Sequence, residues 1–171
     1  SIEDQAAQVE RVKRYENGFI TDPIVLSPKH TIADIDNIAE RYGFSGVPIT
    51  EDGTLRTKLV GIVANRDVDF ERDRSIPLAK VMTTELVTAT KGVSLLQANE
   101  ILRKSKKGKL PIIDKEGRLV ALMSRTDLVK NKEYPLAPKD AQKRLRVGAA
   151  TSTHPHDRER IDMLIARGVD L

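Results

Sequence analysis

Leu59-Val60-Gly61-Ile62-Val63-Ala64-Asn65-Arg66-Asp67-Val68 returns later in the chain as Leu119-Val120-Ala121-Leu122-Met123-Ser124-Arg125-Thr126-Asp127-Leu128. In each copy an apolar run of strand length gives way to polar residues and an Asp. The likeness extends upstream. Gly46-Val47-Pro48-Ile49 matches Lys109-Leu110-Pro111-Ile112, and Phe19-Ile20-Thr21-Asp22-Pro23 matches Val81-Met82-Thr83-Thr84-Glu85. This alignment sets Thr21 opposite Thr83, Pro48 opposite Pro111 and Asp67 opposite Asp127. Between the matched strands lie stripes at helical spacing: Ile32, Ile35, Ile38, Ala39 and Tyr42 in one copy, Leu95, Ala98, Ile101, Leu102 and Ser105 in the other. Each copy therefore reads β-α-β-β-α. A unit this small has a one-sided core and needs its twin to cover it. The expected result is a pseudo-two-fold pair with helices outside and mixed three-stranded sheets facing each other. Its seam is the expected ligand site.

Local signals fill in the rest. Ser1 with Glu3 and Asp4 opens a helix carrying Val9 and Val12, which Asn17-Gly18 should stop. Thr31 caps the first stripe, with Asp34 at capping-box distance, and Gly43 ends it. Ser94 caps the second stripe, and Asn65 is read as the cap of a helix starting at Arg66. Glu51-Asp52-Gly53 and Lys115-Glu116-Gly117 turn the two hairpins. Past Asn131 the rhythm changes. Tyr134-Pro135-Leu136-Ala137-Pro138 is a linker, 145–150 a small-residue strand, 157–166 a helix closed by Gly168, and Val169 the start of another strand. That strand-helix-strand order is typical of parallel α/β folds. The first helix and this tail belong to neither repeat, so the pair is read as an insert in another domain.

Composition bounds the possibilities. The chain has 171 residues, no Cys and a formal charge of +4. Disulfides, Cys-based zinc sites and a nucleophilic Cys are thereby excluded within this stretch, and a reducing, cytoplasmic setting is the expectation. The mild positive charge favours anionic ligands. Three Tyr, three Phe and no Trp give few stacking platforms, and the reading disfavours nucleic acid. No run is long and apolar enough for a membrane span. The chain opens on Ser1 without a signal peptide, and is read as a piece of a longer protein.

Asp67 and Asp127 are the leading candidates for chemistry. A carboxylate at the end of a strand can accept both hydroxyls of a ribose. For either Asp alone, helix capping is the better account; two in register across a duplication favour the ligand. Arg103-Lys104-Ser105-Lys106-Lys107-Gly108-Lys109 concentrates cations beside a Gly, a pattern suited to polyphosphate. Cations also suit a helix C-terminus, but the first copy has Arg41-Tyr42-Gly43-Phe44-Ser45-Gly46 there, with a single cation. No Walker loop occurs. Thr21, Thr83 and Ser124 are hydroxyls that bind phosphate or ribose, or else satisfy local backbone groups. His30, His154 and His156 lack a third ligand at useful spacing, and no metal is expected.

The repeated unit resembles a pair of CBS domains, modules that bind adenine or guanine nucleotides between two β-α-β-β-α units. The flanks sharpen the match. Asn17-Gly18-Phe19-Ile20-Thr21-Asp22-Pro23, Arg103 to Ile112, Ser124-Arg125-Thr126-Asp127-Leu128, Tyr134-Pro135-Leu136-Ala137 and Val147-Gly148-Ala149-Ala150 resemble the IMP dehydrogenase family. The resemblance implies a barrel flank at 1–18, a first CBS domain at 19–80, a second at 81–133, and a return into a (β/α)8 barrel at 134–171. It implies a parent enzyme that oxidises IMP to XMP with NAD, regulated through the insert by ATP, GTP or GDP, with or without magnesium. It assigns ribose to Asp67 and Asp127. Thr21, Thr83, Arg66, Ser124 and Thr126 line the clefts, and Lys106, Lys107, Gly108 and Lys109 lie near the phosphates. Ala64 stands where the family has Ser or Thr, which puts a contact in the first cleft in doubt. The family's catalytic Cys is absent, so this stretch should be inactive alone. Tetramers pairing into octamers through the CBS units are implied as well. The alternatives are a GMP reductase carrying the same insert, and a non-catalytic dimerisation module.

Overall fold

In a computed structural model the described residues are all but 14, 17, 18, 44, 45, 135, 142, 143 and 156; of 15, 16, 127 and 130–132 only the backbone is described. The elements in order are α1 (Ile2–Lys13), β1 (Tyr15–Glu16), β2 (Phe19–Ile20), α2 (Ile32–Tyr42), β3 (Gly46–Thr50), β4 (Leu59–Ala64), α3 (Asn65–Val68), β5 (Ala89–Thr90), α4 (Leu95–Ser105), β6 (Lys109–Ile113), β7 (Leu119–Ser124), α5 (Arg125–Glu133) and α6 (Asp157–Ala166). Both repeats show the expected helix, hairpin and closing helix, but the leading strand expected at 81–85 is only a single bridge at Thr83, and β5 has its counterpart in the bridge at Leu26.

The two hairpins are built alike. Val47 pairs with Val63 and Pro48 with Ile62 in β3–β4; Leu110 pairs with Met123 and Pro111 with Leu122 in β6–β7. Each ladder slips at the same place, between Ile49 and Thr50 in one and between Ile112 and Ile113 in the other. A shared bulge is a stronger mark of duplication than shared composition, because bulges are designed features of a sheet.

The first strands are exchanged. β2 lies antiparallel to β7 of the other repeat, with Ile20 opposite Leu122. Reciprocally, Thr83 bridges to Ile62 of β4, its N–H donating to the Ile62 carbonyl at 2.9 Å and its carbonyl accepting from the Ile62 N–H at 3.0 Å. Packing follows the exchange. Phe19 packs against the second core, built on Ala98, Leu102, Leu110 and Met123. Val81 and Met82 pack against the first, built on Ile32, Ile35, Val47, Ile49 and Val63. Gly61 permits this crossing, since a Cβ there would lie 2.7 Å from Met82 Sδ and 3.2 Å from the Thr83 carbonyl.

Within the repeats, three expectations change. The sheets are not a pair of three-stranded ones: one has five strands in the order β1-β2-β7-β6-β5, and β3–β4 forms a two-stranded ladder. The sequence match of Thr21 with Thr83 is one residue off, because the ladders put Ile20 in the place of Thr83. The parallel contacts Leu26 to Ile49 and Ala89 to Ile112 keep that same register. α3 begins at Asn65 itself, with extended Ala64 at the cap. The stop assigned to Asn17-Gly18 lies outside the described residues; α1 ends at Lys13.

The flanks fold together. Ala6 and Val9 of α1 and Leu164 of α6 are buried. Arg167 pairs with Glu10 at 2.9 Å and Arg160 Nε donates to Gln5 Oε1 at 2.6 Å. The strand expected at 145–150 does not form. Instead residues 147–149 run beside 170–171: Ala149 N–H donates to the Leu171 carbonyl at 2.8 Å and Asp170 N–H to the Val147 carbonyl at 2.8 Å. Lys13 ties the arrangement down. It is 8% exposed, and its Nζ lies 3.2 Å from Asp140 Oδ2 and 2.5 Å from Asp170 Oδ2. A buried ammonium needs such partners. Among the described residues no helix is long and apolar enough to cross a membrane.

Candidate functional site

A cleft of about 350 Å³ opens where the two repeats meet. One wall comes from the end of β4 and the start of α3, with Ala64, Asn65, Arg66 and Asp67. The other comes from the second repeat: Lys107 to Lys109 at the start of β6, and Ser124, Arg125 and Thr126 where β7 turns into α5. The crossing segment adds Thr83, Glu85, Leu86 and Val87.

Local structure explains why these side chains converge. Both strand-to-helix junctions end at the seam because the hairpins are duplicated. Lys106 closes α4 in the left-handed region at φ 55 and turns the chain toward β6. Arg125 N–H donates to the Gly108 carbonyl at 3.0 Å, which locks the β7–α5 junction to the basic loop. Lys109 Nζ donates to Ser124 Oγ at 3.2 Å. The Lys109 stem lies over β3, since a Cβ on Gly46 would sit 3.5 Å from Lys109 Cε. The side chain therefore bridges the repeats.

Asp67 does both things the sequence allowed. Ala64 N–H donates to its Oδ2 at 2.7 Å, which caps α3. Its Oδ1 lies 3.9 Å from Arg66 Nε, and the carboxylate still lines the cleft. Arg66, Lys107, Lys109 and Arg125 line the same cleft, which carries more positive than negative charge and suits an anion that also offers hydroxyls.

Of the residues singled out in the sequence, Arg66, Asp67, Thr83, Lys107, Gly108, Lys109, Ser124 and Thr126 meet in this cleft. Thr21 and Lys106 do not line it: Thr21 is exposed, and Lys106 is the residue that turns the chain. Asp127 lies in α5, and its side chain is outside the described residues. The hydroxyl missing at Ala64 is present in the same cleft on Ser124, from across the seam. Sequence reading missed Glu85 and the cleft role of Arg125. Arg125 was within reach, as the copy of Asn65 in the repeat. Among the described residues no group of His, Cys, Asp and Glu is placed to hold a metal ion. His30 Nδ1 instead accepts from the Ser27 N–H at 3.1 Å and lies 2.8 Å from Ser27 Oγ, a local loop contact. His154 is exposed, and His156 lies outside the described residues.

The IMP dehydrogenase / GMP reductase domain, as a family, matches residues 1–171. The chain belongs to that family. Within it, inosine-5'-monophosphate dehydrogenase of Schizosaccharomyces pombe is 56% identical over 171 residues, covering 98% of this chain and 33% of the relative. The Toxoplasma gondii enzyme of the same name is 56% identical over 167 residues, covering 98% and 30%. That of Mycobacterium bovis is 44% identical, covering 99% and 32%. The chain thus spans about a third of the length of the curated relatives it matches. Among solved structures, GMP reductase of Trypanosoma brucei in complex with guanosine 5'-triphosphate superposes with TM-score 0.78 at 28% identity, over 99% of this chain and 41% of that one. A variant of the same enzyme in complex with guanosine 5'-monophosphate gives 0.77 at 28% identity, over 99% and 36%. The family's fold over this stretch is mixed α/β, as in the chain described above.

Proposed function

We propose that the repeats are a CBS pair and that this chain is the purine-nucleotide-sensing regulatory module of an IMP dehydrogenase, with short flanks of its catalytic barrel. The observation that supports it is the seam cleft, where one capped carboxylate, Asp67, stands among Arg66, Lys107, Lys109 and Arg125. In this reading Asp67 accepts the ribose hydroxyls and the cations hold phosphates. Thr83, Ser124 and Thr126 supply hydroxyl contacts, and the Gly108 backbone allows close approach. Asp127 and Thr21 serve a second cleft related by the pseudo-two-fold axis, with Lys106 at the edge of the basic loop. Magnesium accompanies a triphosphate as its counter-ion, with no protein ligand set assigned to it.

The parent reaction in this reading is the oxidation of IMP to XMP with NAD, in the cytoplasm. These residues alone do not fit that chemistry. The chain holds no Cys. The carboxylate of its last segment, Asp170, is already held by Lys13 and by the Val147 N–H at 2.7 Å. Nucleotide occupancy acts instead on assembly, through its difference in affinity between two arrangements of the CBS units, from tetramer to octamer. A GMP reductase parent is the second reading, favoured by the superposition on the Trypanosoma brucei enzyme. Assay of the parent for IMP oxidation against GMP reduction separates the two.

The test is calorimetric titration of the chain with ATP, GTP, GDP and AMP, with and without magnesium. Triphosphates should bind more tightly than AMP, by a margin that shrinks with salt, since exposed charges are screened over about 8 Å at physiological ionic strength. If no nucleotide binds, the sensing reading fails and a purely structural pair becomes the better account.

A further inference from the structure

We infer that the seam cleft discriminates between purines and that Glu85 is the specificity residue, selecting guanine over adenine. The inference rests on the nucleotide reading above and adds a base preference to it. Glu85 lies on the segment that crosses between the repeats, immediately before Leu86 and Val87, and all three line the cleft. Leu86 and Val87 are half-buried, whereas Glu85 is exposed. Among the described residues the Glu85 carboxylate has no hydrogen-bond or ion-pair partner, although Arg66, Lys107, Lys109 and Arg125 line the same cleft. Asp67 differs: one of its oxygens is committed to the Ala64 N–H.

The cleft therefore has three parts. Its cations draw the phosphates. Its half-buried apolar side chains, with Ile62, Leu86 and Val87 among them, accept a purine face. Glu85 is a carboxylate that none of the cations has captured, and it repels phosphate. A nucleotide that satisfies all three puts its phosphates at the basic loop and turns the edge of its base to Glu85. An ionised carboxylate only accepts hydrogen bonds. Guanine presents two adjacent donors there, N1–H and the N2 amine, which the two carboxylate oxygens accept together. Adenine presents the N1 lone pair beside its N6 amine, so one oxygen faces another acceptor. Bidentate pairing of this kind discriminates between bases by about 10- to 100-fold.

The experiment titrates the wild-type chain and Glu85→Gln with GTP, ITP and ATP by calorimetry. ITP keeps N1–H and lacks the amine. The wild type should bind GTP about 10-fold or more tighter than ATP, with ITP between them. In Glu85→Gln the three affinities should converge to within about 3-fold, because a Gln amide both donates and accepts. Glu85 is exposed and has no partner among the described residues, so the variant loses none of the described contacts; matching thermal melts will verify this. A GTP-to-ATP ratio unchanged by the substitution, or a wild type that favours ATP, overturns the base assignment while leaving nucleotide binding intact. Failure of all three triphosphates to bind the wild type overturns the nucleotide reading, and this inference with it.

Discussion

Asp67 holds a helix and faces a cleft with the same carboxylate, and the two roles separate by substitution. Asn at this position keeps an oxygen for the Ala64 N–H but removes the charge; Ala removes both. Asp67→Asn should stay within about 0.5 kcal/mol of the wild type in urea denaturation, while Asp67→Ala loses about 1 kcal/mol with the cap. In titration with GTP both should bind about 10- to 100-fold more weakly, since each charge-assisted bond contributes about 1.5 to 3 kcal/mol at most. Weak binding by Ala alone would mean that Asp67 acts through the helix only. At this scale Asp67 was legible because its motif repeats, and Lys107 and Lys109 because the basic loop stands out against the single cation of the other copy. It was silent on Glu85, whose place in the cleft depends on a crossing between repeats. It also gave no sign that Ala64 and Ser124, from opposite repeats, line one cleft.

Between elements, the reciprocal crossing depends on one glycine. Gly61 leaves room for Met82 and the Thr83 carbonyl, and a Cβ 2.7 Å from the sulfur forces one of them to move. Gly61→Ala should cost about 1–3 kcal/mol, the usual range for an overfilled core position, in urea denaturation. Gly117→Ala is a useful contrast: a Cβ there meets nothing within 4 Å, so its penalty comes only from φ 78. A loss at Gly61→Ala below about 0.5 kcal/mol would show that the close approach relaxes freely. Helices, hairpins and turns were readable because each rests on local spacing: the stripe on α2 buries Ile32 and Ile35, and that on α4 buries Ala98 and Leu102. Strand exchange has no local signature. Matching Thr21 to Thr83 followed residue chemistry, whereas the ladders follow shape and set Ile20 in that place.

Across the whole molecule, the flanks are joined through Lys13, Asp140 and Asp170. Partial burial opposes ionisation of Asp140, but hydrogen bonds from the Arg144 N–H, the Lys13 ammonium and the Arg144 guanidinium outweigh it and bring the carboxyl down to about 2. Asp170 is lowered as well, chiefly by its hydrogen bond from Lys13. Carboxyls depressed in the folded state stabilise it fully above their ordinary value near 3.8. That contribution disappears as pH falls toward about 2. Thermal melts between pH 5 and pH 2, set by that window, should show the wild type losing stability on acidification. Asp140→Asn should start lower at pH 5 and change less. Parallel pH profiles for the two would show that Asp140 contributes nothing to the acid response.

The exchanged first strands also bear on how one repeat behaves by itself. A single repeat of this kind, expressed alone, has a hairpin whose flank is left for another chain to fill, as Phe19–Ile20 fill that of β7 here. Two such copies close each other by trading their leading segments, which is domain swapping in its simplest symmetric form. A single repeat expressed alone should on that account pair with a second copy of itself. Tethered in one chain, each half is free to carry its own residues at the seam. The basic loop of one copy and the single cation of the other show that difference.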